Sequence, residues 1–460
     1  MNAVDQGNYV NNSLLIGMSD LIAARSQRPL VITKGRGVYV TDEDGREYLE
    51  AVAAYSCAAL GFHDEELIEA AVKQLRDLPM ALTGYNRTHP VALELAEKLA
   101  KLMPIKDARI GFATTGSEAN DNLVKLMWYG NIEAGEPQRR KVISRWGSYH
   151  GHTIFTAGLG RDPLHHRQFG LPMEDHIHVS QPAGAGPDES EQDYVRRLAE
   201  EVRNAILKAG PETVAAFIAE PVSFSADISI PPATYFTAIQ EVLDEFGVKM
   251  INDEVLTGFG RTGELFGAER FNIKPYAMTL SKGLSSAYQP IGAYAIPPEF
   301  YERIERASVA GGWFPHAATF HAHPVSTAVA LKSLEIWEKR DISGHVKKVS
   351  PVFETALNSL HDHPLVTSTH AVGLMGGIRL RTSKPREGLG GLAAGGIAKE
   401  VYDACFQCGL IVRTGTDMIK ITPPVIISES EISELVERFR RALDLVLATK
   451  KESDLAVGNS

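Results

Sequence analysis

Between about residue 90 and residue 280, short apolar runs alternate with amphipathic helical stretches, and this order restricts the fold more than any other feature. A helix over 91–102 precedes the run 109–114, a second helix runs from Ser117 to about Gly130, and the run 141–146 follows. The order resumes with helix 192–209, run 214–219, helix 233–246, and runs 249–255 and 276–280. Strands joined through helices need crossover connections, so the pattern predicts an α/β fold with a mostly parallel sheet covered on both faces. Ligands in such sheets gather beyond the carboxyl ends of the strands.

The flanks read differently. Gly35 to Gly45 predicts strand, turn and strand, with Asp44-Gly45 as the reversal. A helix is expected from Glu65 to Leu78, ended by Pro79. After a long helix from Ser326 to Lys339 come strands near 371–380, a helix near 396–408, a strand at 410–413 and an amphipathic helix over 429–449. The expectation is a small α+β domain built from residues 1–60 and 326–460, beside a large domain over 61–325. The glycine-rich stretch 386–396 and the segment 187–192 read as surface loops. No repeat of solenoid period is present.

At 460 residues, with 44% hydrophobic and 23% charged side chains, the chain is too long for a disulfide or metal scaffold and too apolar for general disorder. A net charge of -10 with no basic block argues against a nucleic-acid partner. Apolar runs long enough to span a bilayer are missing, the first residues lack a signal-peptide pattern, and three cysteines make no disulfide framework, so the cytoplasm is the expected location. Cys405 and Cys408 read as helical thiols without a second ligand pair, and His165, His166, His176 and His178 as a surface segment, so no metal site is expected. Gly258-Phe-Gly-Arg-Thr-Gly263 follows an acidic strand end, outside the strand, turn and long helix that a dinucleotide needs.

Three segments carry chemistry. Thr114-Thr-Gly-Ser-Glu-Ala-Asn120 follows a strand and opens a helix, where free amides, Gly116 and Ser117 can cradle an anion; Ser117 is equally an ordinary N-cap. Asp253 ends an apolar strand on the ligand side of the sheet, placed to pair with a protonated ring nitrogen or merely to form a salt bridge. Lys282, just past another strand, carries an amine able to form a Schiff base, or is a solvated loop charge.

Together with Tyr149-His-Gly151, Glu220-Pro-Val222, Asp253-Glu-Val255 through Gly263, Thr319 with His323-Pro324, and Arg413 before Pro423-Pro424, these segments stand in family order from about residue 35 to 430. The chain resembles the class III, fold-type I, pyridoxal-phosphate-dependent aminotransferases of the omega-amino-acid:pyruvate or amine transaminase kind. The resemblance implies that Lys282 holds the cofactor as the internal aldimine and shuttles the proton, and that Asp253 keeps the pyridine nitrogen protonated. It makes Gly116 and Ser117 phosphate contacts, with Thr319 reaching the phosphate of a neighbouring subunit. Tyr149 and Val255 would flank the ring, and Glu220 would sit behind Asp253. Tyr55, Tyr149 and Arg413 would face the substrate, with Arg413 taking the keto-acid carboxylate.

The implied reaction moves an amino group from an ω-amino acid, diamine or other primary amine to a keto acid, pyruvate first, in two half-reactions. The implied assembly is a homodimer with shared active sites, with a tetramer left open. Decarboxylases and racemases of the same fold, and a non-catalytic binder of the cofactor, are the alternatives. Two departures stand out. His321-Ala322 replaces the commoner Ser-Gly, and no tryptophan accompanies Tyr55-Ser56-Cys57, so bulky aryl amines are expected to be poor donors.

Overall fold

The computed structural model describes residues 14–19, 21–22, 29–381, 396–415 and 417–450. Strands β1 (Ile32–Arg36), β2 (Tyr39–Asp42) and β3 (Glu47–Glu50) form an antiparallel meander. Its second reversal is the expected one: Gly45 takes φ 82°, and the Asp42 carboxylate accepts from the backbone N–H groups of Asp44 and Arg46 at 3.0 and 2.9 Å.

The alternating region folds into a seven-stranded sheet of β4 (Arg109–Ala113), β5 (Lys141–Arg145), β6 (His176–Val179), β7 (Val214–Ala219), β8 (Lys249–Asp253), β9 (Ala277–Leu280) and β10 (Gly292–Ile296). The order is β4-β10-β9-β8-β7-β5-β6, parallel except at β10, which runs antiparallel to both neighbours. Because β10 reverses, β4 points the same way as the parallel strands, so their carboxyl ends share one edge. Alternate side chains enter two cores. Phe217, Ala219 and Met250 join one with helix Glu191–Ala209 and helix Tyr235–Phe246, while Ala216, Ile218 and Ile251 join the other with helix Gly116–Glu133 and helix Pro298–Ala310. Burial on both faces is why these strands read as continuous apolar runs.

Strands β6 and β10 escaped the sequence reading. β6 carries two histidines among four residues, and β10 opens on Gly292, where a Cβ would lie 2.4 Å from the Thr115 carbonyl oxygen. Helix Ile342–Asn358 was also missed and contains Pro351. A third sheet joins β11 (Val366–Val372), β12 (Met375–Leu380), β14 (Arg413–Thr414) and β15 (Met418–Ile421) in the order β11-β12-β15-β14. The short strand β13 (Leu410–Ile411) instead lies parallel to β3, so a late segment of the chain completes the N-terminal sheet. Residues 386–395 of the expected glycine-rich loop fall outside the described residues.

The histidine-rich stretch corrects an expectation: it is a packed clamp, with only part of it facing solvent. His166, His176 and His178 donate Nε2–H to the carbonyls of Gly160, Phe155 and Gly158 at 2.6, 2.9 and 2.8 Å, and Trp146 stacks on His178 at 4.0 Å. Burial pulls His178 down from 6.5 to about 4 and lowers His176, and burial also brings His316 to about 4. The unfolded chain therefore binds more protons than the folded one between these values, so stability is complete above about 6.5 and falls as pH drops toward 4. Thermal melts across that window should show a falling Tm. His178→Gln should flatten the slope while lowering Tm at neutral pH, and a slope unchanged by the substitution would remove His178 from the account.

Candidate active site

Five parallel-pointing strand ends deliver the site residues. After β4, helix Gly116–Glu133 begins with Thr115 as its N-cap, whose Oγ1 accepts from Glu118 N–H at 3.1 Å. Capping by Thr115 settles the question about Ser117. Its hydroxyl is not the cap and instead accepts from His152 N–H at 3.3 Å. Gly116 is needed for contact: a Cβ there would lie 2.8 Å from both Val255 methyls and 3.4 Å from Ser281 Cβ. One glycine thus brings together the anion-cradle, acidic and lysine segments. At Gly151, with φ 147°, a Cβ would lie 2.8 Å from Ser117 Oγ, so the Tyr149 segment reaches the same place.

Asp253, at the end of β8, is 2% exposed. Its Oδ2 accepts from Asn120 Nδ2 at 2.9 Å and from His150 Nδ1 at 2.8 Å, and its Oδ1 accepts from Val255 N–H at 3.0 Å. The carboxylate is acceptor-only, so His150 carries its proton on Nδ1. Asn120 is oriented in turn by Thr279, whose hydroxyl donates to Asn120 Oδ1 at 2.8 Å. Three donors hold one carboxylate in place and leave Oδ1 room for one more. Sequence reading missed the Asn120 role, although Asn120 stands one helical turn beyond Ser117; the His150 contact crosses between segments and left no local signal.

Lys282 follows β9 with φ 43°, in the left-handed region that disfavours a side chain, and begins a single 3₁₀ turn. It is half-buried, and desolvation lowers the pKa of its amine, opposed by the charges of Cys57 and Asp253. The amine is therefore neutral over a wider pH range than a solvated lysine, as a nucleophile or proton carrier requires.

Tyr149 presents its ring beside Arg161, whose guanidinium lies 5.0 Å from the ring centre. Glu220 lies near Asp253, whose charge acts on its carboxyl, and its Oε1 accepts from Tyr149 N–H at 3.3 Å. The buried Arg145 donates to the Glu220 carbonyl at 2.5 Å, and burial raises the Glu220 carboxyl pKa. Glu220 thus holds the backbone that carries Tyr149.

Arg413 lies over Tyr55 at 5.3 Å and over Phe224 at 5.4 Å, so two of the three expected substrate residues meet. Tyr55 sits on a constrained turn in which Ala53, Ala54 and Ser56 all have positive φ. Glu50 folds this turn by accepting from the N–H groups of Val52 and Ala54. Thr319 lies on an exposed turn before helix Pro324–Lys339. The neighbouring His321 ties that turn to the cradle. Its Nδ1 accepts from Ala318 N–H at 3.2 Å and its Nε2 donates to Glu118 Oε1 at 3.1 Å, while Glu118 Oε2 accepts from Thr114 N–H at 2.6 Å.

The arrangement joins an anion cradle, a buried acid, a neutralisable amine and an arginine at one sheet edge. Known proteins share it. Residues 22–443 match the family model for aminotransferase class-III. A gamma aminobutyrate transaminase 3, chloroplastic, of Solanum lycopersicum is 38% identical over 454 residues, covering 96% of this chain and 86% of the relative. A probable gamma-aminobutyrate transaminase 2, mitochondrial, of Oryza sativa subsp. indica is 40% identical over 420 residues, covering 90% and 84%. The omega transaminase of Pseudomonas jessenii in complex with PMP superposes with a TM-score of 0.90 at 38% identity, covering 95% of this chain and 97% of that one. With the ordered motifs converging on one sheet edge and a family match across nearly the whole length, the chain belongs to the class III, fold-type I, pyridoxal-phosphate-dependent aminotransferases.

Proposed function

We propose that this aminotransferase takes the amino group of an ω-amino acid and delivers it to pyruvate, with the site residues acting as follows. The observation that carries the reading is the contact of Gly116 with Val255 and Ser281, which sets an anion cradle, Asp253 and Lys282 around one space. The residues fit the cofactor: Asp253 Oδ1 has room for one more donor, and the Lys282 amine has no hydrogen-bond partner among the described residues. Pyridoxal phosphate, when bound, supplies a ring that accepts electron density from the reacting carbon.

Gly116 and Ser117 hold the phosphate end through backbone N–H and hydroxyl. Asp253, fixed by Asn120, His150 and Val255, accepts the ring N–H and favours its charged form. Tyr149 and Val255 confine the ring between them. The Lys282 amine would hold the group and would move a proton at the substrate's reacting carbon. Arg413 meets the keto-acid carboxylate with its planar fork.

The gamma-aminobutyrate transaminases among the relatives support an ω-amino acid donor. In the same reading, residues 1–60 and 326–460 form the small domain and 61–325 the large one, a division supported by the pairing of β3 with β13. A homodimer in which Thr319 reaches the partner's phosphate belongs to it as well, supported by the exposure of that turn. So does a cytoplasmic location, supported by three free cysteines; no helix among the described residues is long and apolar enough to cross a membrane, and the plant relatives are named mitochondrial or chloroplastic.

Stoichiometric alanine formation from pyruvate tests the reaction. Arg413→Ala should cut turnover with pyruvate by roughly 10- to 100-fold, the worth of a charge-assisted pair, and leave an aldehyde acceptor nearly untouched. Equal losses with both acceptors would sink the role of Arg413.

A further inference from the structure

A second guanidinium stands at the same pocket. Arg161 lies 5.0 Å from the centre of the Tyr149 ring, and Arg413 lies over Tyr55 and Phe224, with Lys420 on the Phe224 ring at 5.5 Å. Counter-ions are distributed unevenly among these cations. Asp227 serves Lys420 at 3.1 Å and Arg379 at 3.5 Å, and Asp417 serves Arg379 at 2.7 Å. Among the described residues neither Arg161 nor Arg413 has a carboxylate partner. Desolvation and then the charge of Arg161 lower the Arg413 pKa, as expected for two like charges sharing a half-buried space.

Arg161 is also fixed in place. Its φ of 64° lies in the left-handed region, where a side chain other than glycine costs about 1 kcal/mol or more. Its N–H donates to the Ser148 carbonyl at 3.0 Å and its carbonyl accepts from Gly147 N–H at 2.9 Å. The preceding Gly160 packs so closely that a Cβ would lie 2.1 Å from the Ser148 oxygen. The three histidine donors to Phe155, Gly158 and Gly160 clamp the segment from behind. A long cationic side chain is thus placed, without a counter-ion among the described residues, beside the Tyr149 ring.

The geometry points to Arg161 as a specificity-determining residue that binds the acid group at the far end of the amine donor, a carboxylate or sulfonate, while Arg413 serves the keto acid. This inference rests on the ω-amino acid reading above and adds the residue that selects the donor. Two guanidiniums at different places let one pocket hold acids at two distances from the reacting carbon. A donor anion near Arg161 also relieves the repulsion between the two arginines.

The test compares 4-aminobutanoate with n-butylamine, which share the amine and chain length and differ by the carboxylate. Binding is read on the holoenzyme without acceptor, from the change in the cofactor's visible absorbance on mixing. KM is then read with pyruvate. Arg161→Gln should weaken 4-aminobutanoate by roughly 10- to 100-fold, the worth of one charge-assisted hydrogen bond, while n-butylamine and pyruvate change less than about twofold. Arg161→Gly, which suits the positive φ, should give the same selective loss, and Arg161→Lys should recover part of it. Parallel losses for both amines, or no loss for either, would overturn the assignment. A parent enzyme that responds to both amines yet makes no alanine would overturn the transfer reading instead, and the acceptor-free binding ratio would still decide Arg161.

Discussion

Lys282→Ala is expected to lower kcat for amino transfer by at least about 10⁴-fold, because one amine serves as both nucleophile and proton carrier. The same substitution should leave the fold intact. Lys282 is half-buried at a strand end, its side chain makes no hydrogen bond among the described residues, and it holds a left-handed backbone in which alanine is no worse than lysine. Lys282→Arg separates charge from chemistry: the guanidinium keeps the positive charge but does not release a proton near neutral pH, so it should be as inactive as the alanine variant. Single-turnover absorbance on mixing with a donor is the measurement. An arginine variant within tenfold of the parent would show that proton transfer resides elsewhere.

Asp253→Asn is the second large effect, roughly 10²- to 10³-fold in kcat, comparable to the loss of one preorganised electrostatic contact. Shape is conserved and hydrogen-bond capacity is not. The carboxylate receives Asn120 and His150 on one oxygen and Val255 on the other. An amide placed to satisfy the first pair turns its NH₂ toward the Val255 N–H, donor against donor, and no longer accepts from a protonated ring nitrogen; turned over, it meets Asn120 and His150 in the same way. The variant should therefore also release the cofactor more readily. Equilibrium dialysis of the cofactor alongside kcat tests both parts, and a full-rate variant with parental cofactor retention would refute the role of Asp253.

These effects differ in how far they could be read in advance. Lys282 and Asp253 were visible because each follows an apolar run, and the ends of buried parallel strands are where a sheet presents chemistry. Gly116 and Ser117 carried a weaker signal. A serine at a helix start serves equally as a cap, and only the Thr115 hydroxyl accepting from Glu118 N–H resolved it. Glu220 was assigned to the right neighbourhood without its partner, since the end of β7 is legible but the direction of its carboxylate depends on where the segment from β5 returns. The histidines at 165–178 read as surface because a short strand with alternating polar residues looks like loop, whereas the Nε2–H groups of His166, His176 and His178 satisfy carbonyls in and just past the short helix Ile154–Gly158.

The order of apolar runs and helices, and the identities of the acid, the amine and the anion-cradling turn, were set by the sequence alone, because burial period and strand-end chemistry are local properties of the chain. The antiparallel β10, the Asn120 and His150 donors that orient Asp253, and the hold of Glu220 on Tyr149 were decided only by tertiary structure. Each depends on two segments far apart in sequence arriving within a few ångströms, and a hydrogen bond has direction and reach that no local pattern of residue types records.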